Sequence, residues 1–305
     1  MARFRNTLIT VILFALLVSA APTYSHWAQP VNLGAVVNSD SMDFGPAISK
    51  DGLSLYFNSN RPGGFGAQDI WVSQRAGLEG PWGPPMNLGQ VINSANGEAV
   101  PAFSSDGHWM FFQSDRPGGF GGNDIWVSYR EHIKDDFGWQ QPVNVGAAVN
   151  TPFLEQGAGY FQNEDAGSPL LFFNSNRPGG IGGLNDIYVS QIFPDGSLSP
   201  ASLVSELSSP ADDNRASVRF DGLEVVLVSD RPGSLGGFDL WVATRETVFD
   251  PWSTPTNLGP LVNSLSSDQN PNIAADGETL YFASNRHGGV GQLDLYVTTR
   301  TKQHP

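Results

Sequence analysis

The chain has 305 residues, with 16 basic against 30 acidic side chains, a formal net charge of −14 and no cysteine. The acidic balance argues against a nucleic-acid partner, because phosphate binding needs a basic surface. Without cysteine there is no disulfide framework and no lipid-attachment thiol.

Taken in chain order, Arg3 and Arg5 precede an apolar run from Leu8 to about Leu17, and Val18-Ser19-Ala20 supplies small residues at a cleavage point. This reads as a secretory signal peptide over residues 1–25, too short to favour a membrane span, with a retained N-terminal anchor as the alternative. The expected product is periplasmic or secreted and monomeric, with no stable membrane insertion after signal cleavage. Residues 26–305 form one domain.

Next comes an outer-strand signature, Trp-x-x-Pro-x-Asn-Leu/Val-Gly, starting at Trp27 and repeated at Trp82, Trp139 and Trp252. Between copies lies a recurrent unit. In Glu98 to Val149, a short strand through Ala99-Val100-Pro101-Ala102-Phe103 stops at Asp106-Gly107, a dipeptide suited to a tight hairpin. Trp109-Met110-Phe111-Phe112 makes a second strand, Ile125-Trp126-Val127-Ser128 a third, and Pro142-Val143-Asn144-Val145 a fourth. The matching first turns are Asp51-Gly52, Asp221-Gly222 and Asp276-Gly277, and the third unit lengthens this turn to Asn163-Glu164-Asp165-Ala166-Gly167.

Five loops join the second and third strands. They begin Ser59-Asn60-Arg61, Ser114-Asp115-Arg116, Ser175-Asn176-Arg177, Ser229-Asp230-Arg231 and Ser284-Asn285-Arg286, and each continues into glycine. The acids opening the third strands are Asp69, Asp124, Asp186, Asp239 and Asp294, a period of roughly 53 to 62 residues. Four antiparallel strands per unit make a propeller blade. The mature chain begins with an unpartnered outer strand and ends with a third strand that lacks one. The predicted fold is therefore all-β: a five-bladed β-propeller of four-stranded antiparallel blades, closed by the N-terminal strand joining the last blade.

The pattern Pro-x-x-Ser-x-Asp-Gly-x-x-x-x-Phe-x-Ser-Asn/Asp-Arg, seen in Pro101 to Arg116, in Pro46 to Arg61 and less completely in Pro271 to Arg286, resembles the WD40-like PD40 repeat of the TolB type. That resemblance covers essentially the whole mature chain. It implies a propeller and leaves the function open among partner-binding proteins, peptidase propellers and lyases. The N-terminal α/β domain and sixth blade of TolB are absent, so a TolB role does not transfer.

Each loop arginine precedes its strand-opening acid by eight residues, or nine in the third unit. Pairs Arg61 and Asp69, Arg116 and Asp124, Arg177 and Asp186, Arg231 and Asp239, and Arg286 and Asp294 therefore read as structural clasps across the hairpin mouth, or else as five ligand-binding arginines. Before each inner strand a second acid recurs: Asp43, Glu98, Glu155, Asp213 and Asp268. These predict a carboxylate ring around one channel mouth, a possible Ca²⁺ site; capped amides or a neighbouring arginine are the structural alternative. Departures from the repeat, Arg215 beside Asp212-Asp213-Asn214, Glu155-Gln156-Gly157, and His287 in place of the loop proline, mark the binding face further. The outer-strand tryptophans serve inter-blade packing or sugar stacking.

The leading expectation is a module that binds a protein or glycan partner through this loop face, with no cofactor unless calcium. The alternative is a glycan-active hydrolase or lyase using Asp43, Glu98, Glu155 or Asp268, since two carboxylates across a funnel suit glycoside hydrolysis, and five-bladed sugar hydrolases resemble this architecture.

Overall fold

The computed structural model describes residues 22–162 and 167–303. Most of the signal segment, the lengthened turn at 163–166 and His304 lie outside the described residues. Five four-stranded antiparallel sheets form the blades. In the second, Glu98–Phe103 lies innermost, followed by Trp109–Ser114, Asp124–Tyr129 and Val143–Asn144. The other inner strands are Asp43–Ile48, Glu155–Phe161, Asp213–Val218 and Asp268–Ile273. The fifth blade takes its outer strand from the start of the chain: Val31 pairs with Val297 and Asn32 with Tyr296. Thr23–Tyr24 also pairs with Lys302–Gln303. Among the described residues no helix is long and apolar enough to cross a membrane.

The second strands are apolar on both faces because each blade is packed between neighbours. Ser54–Ser59, for example, is buried at every position. The cores lie between blades: Met110, Phe112 and Trp126 of blade two meet Tyr56, Ile70 and Val72 of blade one. Each large apolar side chain buried this way contributes about 1.5–3 kcal/mol. Trp27, Trp139 and Trp252 are buried in the same manner, and Arg300, Arg130 and Arg245 lie over their rings at 4.2, 4.5 and 4.1 Å. Trp82, half-buried, carries Arg75 at 4.5 Å. These rings are cation–π and packing partners and are not presented for sugar stacking.

Every inner strand is bulged at the same place. Its pairing slips between Phe44 and Ala47, Ala99 and Ala102, Gln156 and Gly159, Asn214 and Ser217, and Gln269 and Asn272. The first extra residue has positive φ in all five: Gly45 (64°), Val100 (54°), Gly157 (62°), Arg215 (29°) and Asn270 (54°). A bulge bends the strand and re-aims a side chain. Holding a non-glycine residue there costs on the order of 1–3 kcal/mol, so the three that occur are held by their surroundings. Val100 N, for instance, donates to the Asn58 side chain of blade one at 3.0 Å.

Candidate functional site

The inner-strand acids Asp43, Glu98, Glu155, Asp213 and Asp268 have no exposed surface. Each takes the guanidinium of its own blade's loop. Arg61 meets Asp43 at 2.6 Å, Arg116 meets Glu98 at 3.1 Å and Arg177 meets Glu155 at 3.0 Å. Arg231 meets Asp213 at 2.5 Å and Arg286 meets Asp268 at 2.6 Å. Each acid also accepts from the backbone amide and hydroxyl of the residue four positions earlier, namely Ser39, Ser94, Thr151, Ser209 and Ser264. The same arginine nitrogens donate to Val37, Ile92, Val149, Leu207 and Val262 carbonyls.

Two expectations are corrected here. The clasp arginines do not pair with Asp69, Asp124, Asp186, Asp239 and Asp294; they pair with the inner-strand acids. And those acids form no open ring of charge, because each is neutralised inside its blade. A desolvated carboxylate is tolerated only when paired and fully hydrogen-bonded, and the loop guanidinium supplies that.

The strand-opening acids hold the loops by a different means. Asp69 accepts from Phe65 N (2.6 Å), Gly66 N (3.0 Å) and Asn87 Nδ2 (2.7 Å). Asp124, Asp239 and Asp294 repeat this with Asn144, Asn257 and Asn32 of the outer-strand signature. Blade three departs from the pattern. Leu203 pairs with Tyr188 where Asn87 pairs with Trp71. Asp186 keeps the Ile181 amide at 3.0 Å, and its buried Oδ1 has no hydrogen-bond partner among the described residues. Burial, reinforced by the charges of Asp213 and Asp212, raises the Asp186 pKa.

At the end where the inner strands begin, the channel opens into a funnel of about 300 Å³. Its lining is amide-rich: Gln113, Gln156, Asn174, Asn185, Asn214, Gln269 and Asn270, with Phe44 and Phe238. Asp212 is the one carboxylate lining it, and accepts from Asn185 Nδ2 at 2.8 Å and Asn214 Nδ2 at 3.0 Å. A second cavity of about 370 Å³ lies toward the opposite end, between residues such as Phe103, Tyr160 and Ile273. Arg215 is the one residue that lines both.

Arg215 reaches this position from the bulge of blade four. It is 2% exposed, and its Nη2 crosses the channel to donate to Pro46 O (3.0 Å) and Pro101 O (3.1 Å) of blades one and two. Among the described residues its Nη1 has no hydrogen-bond partner and no carboxylate forms an ion pair with it. Burial alone lowers its pKa to about 9. Glycine at 157 makes room for it: a Cβ there would lie 3.2 Å from Arg215 Cα and Cβ and 2.3 Å from Asn174 Oδ1.

Of the residues singled out in the sequence, Arg215 and its neighbours Asp212 and Asn214, with Gln156 and Gly157, line the funnel. His287 is exposed in its loop and lines neither cavity. Asp43, Glu98, Glu155, Asp213 and Asp268 line neither cavity as well, so the carboxylates of the hydrolase alternative do not face one another across open space. Gln113, Asn174, Asn185, Gln269 and Asn270 went unnoticed, although a signal existed for Gln269: the position after each inner-strand acid is polar in blades three to five, as Gln156, Asn214 and Gln269. Among the described residues no three acidic or histidine side chains gather as ligands for a metal ion.

No family model and no curated protein matches this chain. Solved structures do. An α-L-arabinofuranosidase from Podospora anserina, in complex with cellotriose, is 14% identical over 93% of this chain and 99% of its own, with a TM-score of 0.57. The GH43 endo-arabinanase from Bacillus licheniformis is 13% identical over 88% and 96%, with a TM-score of 0.58. CoXyl43, a GH43 β-xylosidase/α-arabinofuranosidase from a compost microbial metagenome, was solved with xylotriose in a calcium-free form; it is 13% identical over 93% and 96%, with a TM-score of 0.53. These likenesses concern the fold. They also correct the resemblance to the PD40 repeat of the TolB type, since the structural neighbours are glycoside-hydrolase propellers of families 43 and 62. The repeated Ser-Asn/Asp-Arg loop is a device for clasping a blade, and such a device does not identify a family.

Proposed function

We propose that this protein is glycan-active and seats a saccharide in the amide-lined funnel, with Asp212 as the carboxylate that addresses the bound sugar. The observation that carries this reading is the funnel's chemistry. Asn and Gln side chains each offer donors and an acceptor, which suits the hydroxyls of a sugar, and Phe44 and Phe238 supply apolar surface beside them. The fold shared with arabinan- and xylan-type hydrolases supports a glycan ligand over a protein one. The N-terminal signal segment would deliver the protein outside the cytoplasm, where polysaccharides are met.

A hydrolytic step through paired carboxylates uses two acids roughly 5 to 9.5 Å apart. The funnel lining supplies one, so any proton transfer to or from a glycosidic oxygen falls to Asp212, and amides stand where a second acid would be. The test is a panel of arabinan, xylan and cellulose oligosaccharides with wild-type protein and Asp212→Asn, following both retention and reducing-end release. Release by wild type that is lost in Asp212→Asn assigns hydrolysis. Retention without release assigns recognition alone. If no member of the panel is retained or cleaved, the glycan reading falls.

A further inference from the structure

The five loop arginines, with side chains 9–18% exposed, each meet a buried carboxylate, whereas Arg215 lies deeper, at 2% exposed, and pairs with none among the described residues. Arg215 meets two carbonyls through Nη2, and its Nη1 has no acceptor among the described residues. A buried charge is costly unless it is paired, and a guanidinium carries five N–H donors in a planar fork that suits a carboxylate and can also donate to a halide. The backbone is shaped for this placement. The bulge at positive φ aims the side chain inward, and glycine at 157 clears the space beside it. Arg215 lines both cavities, so its buried side chain stands between the funnel and the opposite cavity, and a ligand entering the funnel must displace neighbouring side chains to reach Nη1. The surrounding amides are neutral, and their NH₂ groups can complete the shell of an anion.

We propose that Arg215 forms a binding site for a singly charged anion at the waist of the channel. The anion has two sources with the same chemistry: a free halide, or the carboxylate of an acidic sugar entering the funnel. Only the second source rests on the glycan reading above. A divalent cation is disfavoured at the same place, because the fixed charge there is positive.

Two measurements test this on the wild-type protein. Crystals soaked in sodium bromide should show an anomalous bromine peak against the Arg215 guanidinium, absent in Arg215→Met and retained in Arg215→Lys. Calorimetric titration should show glucuronate binding at least about tenfold more tightly than glucose, a preference that Arg215→Met removes. A bromide peak without a preference for glucuronate assigns the free anion, and a preference without the peak assigns the sugar carboxylate. Neither peak nor preference overturns the proposal, whether or not the variants fold. The two readings fail separately. If glucose and glucuronate bind alike and bromide does not bind, the anion site falls and the glycan reading stands. If bromide binds and no sugar does, the reverse holds.

Discussion

The five loop arginines and Arg215 are the same side chain in opposite circumstances. Arg61 and its four counterparts are in frame with the repeat, lie over aromatic rings such as Phe57 and Trp71, and are paired with a buried carboxylate and a carbonyl. Arg215 is out of frame: the equivalent inner-strand positions hold Gly45, Val100, Gly157 and Asn270. It has carbonyl partners and no counter-charge. Fivefold repetition with closed bonding is what a fold needs, whereas an isolated, unsaturated charge at the meeting point of two cavities is what a ligand needs.

The largest expected effect separates the two kinds directly. Arg231→Met strands the carboxylate of Asp213, which has no exposed surface, and should cost about 3–5 kcal/mol or prevent folding. Arg215→Met strands no charge and removes an unpaired buried one, which offsets the loss of two carbonyl hydrogen bonds, so its cost should fall well below that of Arg231→Met. Urea denaturation of both proteins measures the gap, and equal costs would break the comparison.

A smaller effect sharpens it within the loops. Asp124→Ala removes an acceptor for two loop amides and for Asn144, and should cost about 3 kcal/mol. Asp186→Ala loses one amide contact and should cost about 1 kcal/mol. Equal losses would show that blade three is held as tightly as its neighbours.

The smallest effect is one of pH. The folded-state pKa of Asp186 is raised by burial and by Asp213 and Asp212, so the fold favours its protonated form. The stability associated with it is present below the ordinary carboxylate pKa and is lost as pH rises through the folded value. Asp186→Asn should therefore melt higher than wild type at neutral pH, with the difference closing as pH falls through the carboxylate range. A difference that is independent of pH would count against the raised pKa.

Much of the fold was legible because its signals are local. Asp-Gly turns announce positive φ, realised at Gly52, Gly107, Gly222 and Gly277, and apolar runs of strand length between such turns mark the second and third strands. The outer-strand asparagines were visible as a motif, though their role as donors to Asp69 and its counterparts was not. Arg61 shows where this kind of reading ends. Asp69 lies eight residues ahead and Asp43 eighteen behind, and spacing favours the nearer acid. In the folded chain Asp69 is already committed to the loop amides, lying so close to Gly64 that a Cβ there would come within 2.6 Å of its Oδ2. The guanidinium is left to Asp43.

Period, hairpins and blade count were therefore determined by the sequence itself, since backbone conformation and apolar alternation act over a few residues. The partner of each arginine, the closure of the acids inside their blades and the funnel were decided only by tertiary structure. Five inner strands must converge before a bulged residue has a channel to enter, and Arg215 acquires its isolation from carbonyls 114 and 169 residues away in the chain.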